Sequence, residues 1–395
     1  MAELELRSSI DAVFDRVVDT RRVLHRRPET AFAEHETTQL IKDRLTELGL
    51  RPRPGAGATG AVFMLEGGRA GTTVLMRADI DALPITEGTG LAFSSDVDGV
   101  MHACGHDAHT AALLGVAEVM ASRAEHLPGR YLFVFQPAEE QVSGARAMLD
   151  AGLLTETPVD AAVGWHVTAP LPAGLLKVRA GVAMSDGQGV GISFTGVGGH
   201  GARGGPNVLL SVAKVLGSMG MVVAGMEYDG AACICSPGVV RGGTARNVVP
   251  ASAVIEGSLR TFTSEQKAEA LDRLRLLVAE AAAEAGVEGE LELSVHAPPV
   301  RNDPAVTEVV ADTARRCLGP ERVVSGPPLA PSDDMSEILS RVPGCYFHVG
   351  GGRADGQSGD HHSPRFDVDE EAMRTAAIVL TEAAVALADR PNRPQ

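Results

Sequence analysis

Four short stretches of this chain concentrate side chains that bind metals or move protons. His102-Ala-Cys104-Gly-His106-Asp107-Ala-His109 crowds a thiol, imidazoles and a carboxylate into one run, and Gln136-Pro-Ala-Glu139-Glu140 presents two adjacent carboxylates. Trp165-His166 and Asp360-His361-His362 add further imidazoles. Thiolate, imidazole and carboxylate together are the donor set of a borderline transition metal, Zn²⁺ most commonly. Structural zinc sites use close Cys-x-x-Cys pairs, whereas single donors spread from Cys104 to His362 match a catalytic centre. In the Glu139-Glu140 pair, one carboxylate can hold metal while its neighbour stands over the open coordination position as general base. Each stretch also has a plainer reading. Asp107 would cap a helix whose histidines are partly buried, the acidic pair would be a solvated turn, and His166 and His362 would be ordinary core or surface histidines.

The elements in front of these residues decide between the readings. Helical patterns near 8–26 and 34–48 precede strand patterns at 61–65 and 72–78; a helix at 109–124, a strand at 131–135, a helix at 142–151 and a strand at 159–164 follow. Strands alternating with helices predict an α/β domain, a mostly parallel sheet covered by helices on both faces. Ligands bind such sheets beyond the carboxyl ends of the strands. The residues after each apolar run are polar here: Arg77-Ala-Asp79-Ile-Asp81 follows TTVLM, Glu139-Glu140 comes shortly after YLFVF, Trp165-His166 follows AAVG, and the loop to His361-His362 follows CYFHV.

The middle of the chain has another rhythm, with strand 189–195, helix 207–226, strands 232–236 and 252–261, helix 264–286 and strand 290–296. This βαββαβ order is the split unit of a ferredoxin-like α+β sandwich. After Ala297-Pro298-Pro299 the alternating pattern resumes with helices 304–317 and 332–340, strand 345–349 and helix 369–388. The expected organisation is a catalytic domain in two parts, 1–185 and 298–395, with residues 186–297 inserted between them.

The 395 residues allow a sizeable core, and 44% hydrophobic with 22% charged residues is a globular composition. With 51 acidic against 35 basic residues the net charge is −16, which argues against nucleic-acid or membrane-surface partners. MAELELRSSI has neither a basic nor an apolar leader region, and no apolar run reaches the roughly 18 residues of a membrane span. A cytoplasmic location is expected. The five cysteines, Cys104, Cys233, Cys235, Cys317 and Cys345, are odd in number and scattered, as reduced thiols are. Cys233 and Cys235 are expected to point to one face of a strand.

The motifs His-Ala-Cys104-Gly-His106-Asp-Ala-His109, Phe135-Gln-Pro-Ala-Glu139-Glu140, Trp165-His166-Val, Gly198-Gly-His200, Asn247-Val-Val-Pro250 and His362-Ser-Pro364 resemble, in order and approximate spacing, those of the aminoacylase, hippurate hydrolase and auxin-conjugate hydrolase family of dinuclear metallopeptidases. The resemblance covers essentially the whole chain. It implies two divalent metals, Zn²⁺ or alternatively Mn²⁺, Co²⁺ or Ni²⁺, and an inserted lid domain. Cys104 would be shared by both ions, with His106 and His166 on one and Glu140 and His362 on the other. Glu139 would be the general base, taking a proton from the attacking water and passing it to the leaving amine. Asp79 would orient a metal-binding histidine. From the lid, His200, Asn247 and Arg260 would contact the oxyanion or the terminal carboxylate of an N-acyl amino acid substrate. The resemblance further implies a homodimer through the lid, with His200 acting on the partner's active site.

Departures from the family are visible. The loop after His200 reads Gly-Ala-Arg-Gly-Gly-Pro206 and is shortened, Asp333-Asp334-Met335 replaces a Glu-Asp-Phe, and Gln141-Val142-Ser143 replaces a glycine run. Competing readings are a dipeptidase or aminopeptidase on the same site, a hydrolase with Cys104 as nucleophile, and a non-catalytic binding protein. The nucleophile reading predicts indifference to chelators. Glu139 speaks against the pure binder, which has no use for a base.

Overall fold

The computed structural model describes residues 6–390 except 156 and 357. In chain order the main elements are α1 (Leu6–Arg26), α2 (His35–Glu47), β1 (Ala61–Glu66), β2 (Arg69–Asp79), α3 (His106–Ser122), β3 (Pro128–Gln136), α4 (Gly144–Asp150) and β4 (Ala161–Pro172). Then come β5 (Asp186–Thr195), α5 (Val208–Ser218), β6 (Ile234–Gly242), β7 (Ser252–Thr261), α6 (Ser264–Ala285) and β8 (Glu288–Ala297). The chain finishes with α7 (Pro304–Leu318), α8 (Met335–Leu339), β9 (Gly344–Gly352) and α9 (Glu371–Ala388). Two compact units result. One comprises the chain up to Gly181, Arg301–Gly326 and the chain from Asp334 onward; the other comprises Val182–Val300 and Pro327–Asp333.

In the first unit the principal strands lie in the order β1-β3-β2-β4-β9, with short strands extending both edges to eight in all. β2 pairs in parallel with β3 and β4, and β4 with β9, so four carboxyl ends meet at one rim. These strands are continuous buried runs because helices cover both faces. Alternation assigns the sides: Val74, Met76 and Ala78 join Phe133, Phe135, Val163 and Trp165 in the large core with α1, α3 and α9, while Arg77, Gln136 and Tyr346 turn to the opposite face. Helix signals act locally as well. Asp303 caps α7 by accepting from the amides of Ala305 and Val306, and Pro304 fills the first turn, where its missing N–H costs nothing.

The difference from the sequence pattern that bears on the site is α3, which starts at His106 rather than near residue 109. Its first turn is polar and fully buried, so apolar periodicity does not mark it. Nor is Asp107 a cap. It lies inside the helix and binds Arg21 Nε at 3.1 Å and His25 Nδ1 at 2.8 Å. The residue before the helix is Gly105 at φ +92°, where a Cβ would stand 2.5 Å from Val167 Cγ1; only glycine fits between Cys104 and His106.

The second unit is a four-stranded antiparallel sheet in the order β6-β7-β5-β8, backed by α5 and α6. This is the ferredoxin-like arrangement. Thr263 caps α6 by accepting the Gln266 N–H, the Gln266 side chain reaches back to accept from the Phe262 amide, and Gly286 closes the helix in the left-handed conformation. Cys233 and Cys235 both lie in this unit's core. No helix among the described residues is long and apolar enough to cross a membrane.

Candidate metal centre

The rim of the first unit gathers Cys104 and His106 from the start of α3, Glu139 and Glu140 from the turn after β3, His166 from β4, and His361 and His362 from the loop after β9. One donor atom each from Cys104, His106 and Glu140 lie within 4.8 Å of one another. His166 Nε2 is 3.5 Å from Cys104 Sγ, and His362 Nε2 is 3.3 Å from Glu140 Oε1. Glu139 Oε2 stands 3.9 Å from His106 Nε2. The six residues proposed from sequence for the ions and the base therefore share one cluster. His362 is its most open member, with 53% of its side chain exposed.

Hydrogen-bond partners show which ring nitrogens are available. His106 Nδ1 faces the carbonyl of Asp81 at 2.9 Å and its carboxylate at 3.2 Å; both are acceptors, so Nδ1 carries the hydrogen. Its Nε2 is buried and has no hydrogen-bond partner among the described residues. His166 likewise turns Nδ1 to the carbonyl of Val167 and leaves Nε2 toward Cys104. Both are free imidazole donors aimed at one point, which fits a metal.

Electrostatics supports the same reading. Burial opposes charge on His106, yet Asp79, Asp81 and Glu140 outweigh it and raise the imidazole to about 10. Without a cation, a proton supplies the positive charge this place demands. Burial, reinforced by Glu140, Glu139 and Asp79, pushes the Cys104 thiol well up. A thiol so surrounded is a poor free nucleophile at neutral pH, and a bound cation is what would ionise it. This counts against the nucleophile alternative. Burial and the neighbouring His109 and His361 keep His166 well below the usual imidazole range, hence neutral and able to ligate.

The turn bearing the two glutamates is gripped by carboxylates. Glu34 Oε1 accepts from the Ala138 N–H at 2.9 Å, Asp81 Oδ1 from Glu139 at 3.1 Å, and Asp81 Oδ2 from Glu140 at 3.0 Å. The grip holds Ala138 at φ +51° and Val142 at φ +52°, left-handed conformations uncommon for residues with a side chain. Val142 occupies the place of the family's glycine run. Asp79, read from sequence as the orienting carboxylate, is instead hydrogen-bonded to His109 Nδ1 at 2.6 Å and to Arg77 at 2.7 Å; it lies 3.7 Å from His106 Nε2. The acceptor for the His106 Nδ1–H is Asp81, the second acid of the same Asp-x-Asp. Its place just past β2 was visible in the sequence, but its role was not. Glu34 carries no sequence signal at all. Beneath the turn, Asp334 accepts from Gln136 Nε2 at 2.6 Å and from the Ala145 amide at 2.9 Å, so the Asp333-Asp334-Met335 variant still anchors the end of β3.

The remaining candidates lie in the second unit. His200 is exposed, pairs with Val248 and accepts the Ala202 N–H on Nδ1; the carbonyl of Asn247 accepts from Gly201. Arg260 donates to Ser332 Oγ and sits on β7, an interior strand rather than an edge. His200 and Asn247 lie beyond the Ser252 end of β7, and Arg260 lies at the other end. Eight residues of strand make that separation roughly 25 Å. Within one copy of the unit the structure does not bring Arg260 together with Asn247.

Comparison with known proteins agrees with this geometry. The description of peptidase family M20/M25/M40 matches residues 75–386. The chain is 34% identical to N-acetyl-L-cysteine deacetylase of Bacillus subtilis, covering 94% of this chain and 88% of the relative. It is 31% identical to IAA-amino acid hydrolase ILR1-like 2 of Arabidopsis thaliana over 94% and 85% of the two chains. A solved dinuclear metal binding peptidase of Bacillus subtilis superposes with a TM-score of 0.80 at 32% identity, covering 96% of this chain and 99% of that one.

Proposed function

Because the chain belongs to peptidase family M20/M25/M40, we propose that it is a metal-dependent amidohydrolase cleaving the amide bond of N-acyl amino acids. The observation that carries this reading is the partnerless His106 Nε2 beside Cys104 and Glu140, with Glu139 within reach of the same point. In this reading Cys104, His106, His166, Glu140 and His362 would hold two divalent ions per chain. When bound, the ions polarise the scissile carbonyl and make a water nucleophilic at neutral pH. Zn²⁺ suits thiolate and imidazole, and Mn²⁺, Co²⁺ or Ni²⁺ suit the mixed donor set as well.

Glu139 takes the proton of the attacking water and delivers it to the leaving amine nitrogen. Its backbone is fixed by Asp81, so base and ligand are set by one carboxylate. Arg260 offers a planar fork to the substrate's carboxylate, and His200 and Asn247 offer donors to the carbonyl oxygen as it gains charge. Since Arg260 and His200 stand at opposite ends of β7, a small substrate touching both draws them from two copies. The protein is a homodimer in this reading, with His200 acting on its partner's substrate. Mixing His200→Ala with Glu139→Ala protein then restores activity in heterodimers, and a demonstrated heterodimer without activity counts against it. The five cysteines are all unpaired, which suits a cytoplasmic location.

A peptidase variant of the same chemistry is favoured by two relatives, thermostable carboxypeptidases 1 and 2 of Saccharolobus solfataricus, 30% and 29% identical over 98% of this chain and 99% of each relative. A hydrolysis screen separates the two: acetyl, benzoyl and longer acyl amino acids against dipeptides, with Glu139→Ala as the blank. Turnover of N-acyl amino acids is expected. Turnover of dipeptides alone supports the peptidase, and no Glu139-dependent turnover of either class by metal-loaded protein rejects the proposal.

A further inference from the structure

Two histidines, the buried His109 and the partly buried His361, flank His166, and one strand decides which of their ring nitrogens carries hydrogen. The N–H of Val167 donates to His109 Nε2 at 2.9 Å, and the N–H of Ala169, two residues further along β4, donates to His361 Nε2 at 3.1 Å. A backbone N–H only donates, so each Nε2 offers its lone pair and each neutral ring carries its hydrogen on Nδ1. In His109 that hydrogen goes to Asp79. In His361, Nδ1 lies 3.7 Å from Cys104 Sγ, within reach of a sulfur acceptor. A nitrogen bearing hydrogen has no lone pair to give a cation.

We infer that His361 is a positioning residue, not a metal ligand: its Nδ1–H donates a hydrogen bond to the Cys104 sulfur and sets how much electron density that sulfur offers the ions. The inference rests on the dinuclear reading above. It divides the adjacent pair, with His362 directed to Glu140 and His361 to the thiolate. Partners of this kind fix ligand orientation and tune donor strength as strongly as ligand identity does. Removing the donor raises the energy of the sulfur lone pairs, so transfer of charge from sulfur to a bound ion requires less energy.

Cobalt(II)-loaded protein makes this visible through its sulfur-to-cobalt absorption band. His361→Leu removes the N–H, while His361→Asn places an amide N–H near the position of Nδ1. At saturating cobalt both variants are expected to keep two ions per chain. The Leu variant's band moves to longer wavelength and its metal affinity falls roughly 10- to 100-fold, while the Asn variant returns most of the band shift. Loss of one cobalt ion from both variants would make His361 a ligand and overturn the inference, as would an unshifted band in a fully loaded Leu variant. Should Leu not fold, Asn decides: two ions with the wild-type band support the inference, and a lost ion refutes it. Wild-type protein that takes up no cobalt would instead remove the dinuclear reading, and this inference with it.

Discussion

Asp81 stands 3.2 Å from Nδ1 of His106 with the same oxygen that accepts the N–H of Glu139 at 3.1 Å. One side chain therefore holds a proposed ligand and the proposed base in register. Asp81→Ala should lower metal affinity up to roughly 10-fold, because the imidazole loses one of its two acceptors and keeps only the backbone carbonyl at 2.9 Å. The amides of Glu139 and Glu140 should exchange with solvent faster. Unchanged affinity measured by competition with a chromophoric chelator would show that the Asp81 carboxylate does not orient His106.

Glu139→Ala should retain both ions and lose about a hundredfold to ten-thousandfold in kcat, the usual loss when a general base is removed. Glu140→Ala should lose metal. Metal content and turnover measured on both variants check the assignment, and the opposite pattern would exchange the two roles.

A buried network behind the site predicts a pH effect on stability. Burial pulls the His25 imidazole down, but Asp107 and Glu87 outweigh it and raise it to about 9; Arg21, paired with the same Asp107, pulls it down. His25 is fully buried and His102 lies beside it, their ring centroids 6.3 Å apart. A group whose pKa is raised on folding stabilises fully below its unfolded value, about 6.5, and loses that contribution as pH rises through the folded value. Urea melts should show a loss on the order of 3 kcal/mol between about pH 6.5 and 9 that His25→Gln removes. Parallel profiles for the two proteins would refute this.

If Arg260 binds the substrate's carboxylate, an N-acyl amino acid should exceed its carboxamide in kcat/KM. Arg260→Ala should erase most of that difference without changing metal content. Equal hydrolysis of acid and carboxamide by the intact enzyme would point to a substrate without a terminal carboxylate.

Much of this architecture is written locally. TTVLM and YLFVF read as buried parallel strands because helices on both faces favour a mostly apolar run, and the acids and imidazoles after them mark the rim. The limits of α3 are not written locally, since a polar first turn buried by Arg21 and His25 looks like loop. The same is true of the division among histidines. His106, His109, His166 and His361 are equivalent as letters, and it is the amides of Val167 and Ala169, the carbonyl of Val167 and the oxygens of Asp81 that settle which ring nitrogen of each faces a donor or an acceptor. Asp81, and not the Asp79 of the sequence reading, meets His106 for that reason: two residues along an extended chain are enough to change which imidazole a carboxylate meets.

The central claim is that catalysis depends on two ions held at Cys104, His106, Glu140, His166 and His362. Its most direct test is titration of exhaustively chelated enzyme with Zn²⁺ or Mn²⁺ while N-acyl amino acid hydrolysis and bound metal are measured together. Activity is expected to be negligible without metal and to recover until two ions are bound per chain, with impaired recovery in Cys104→Ser, whose hydroxyl stays protonated and is a harder donor. Full activity after complete removal of metal would contradict the claim.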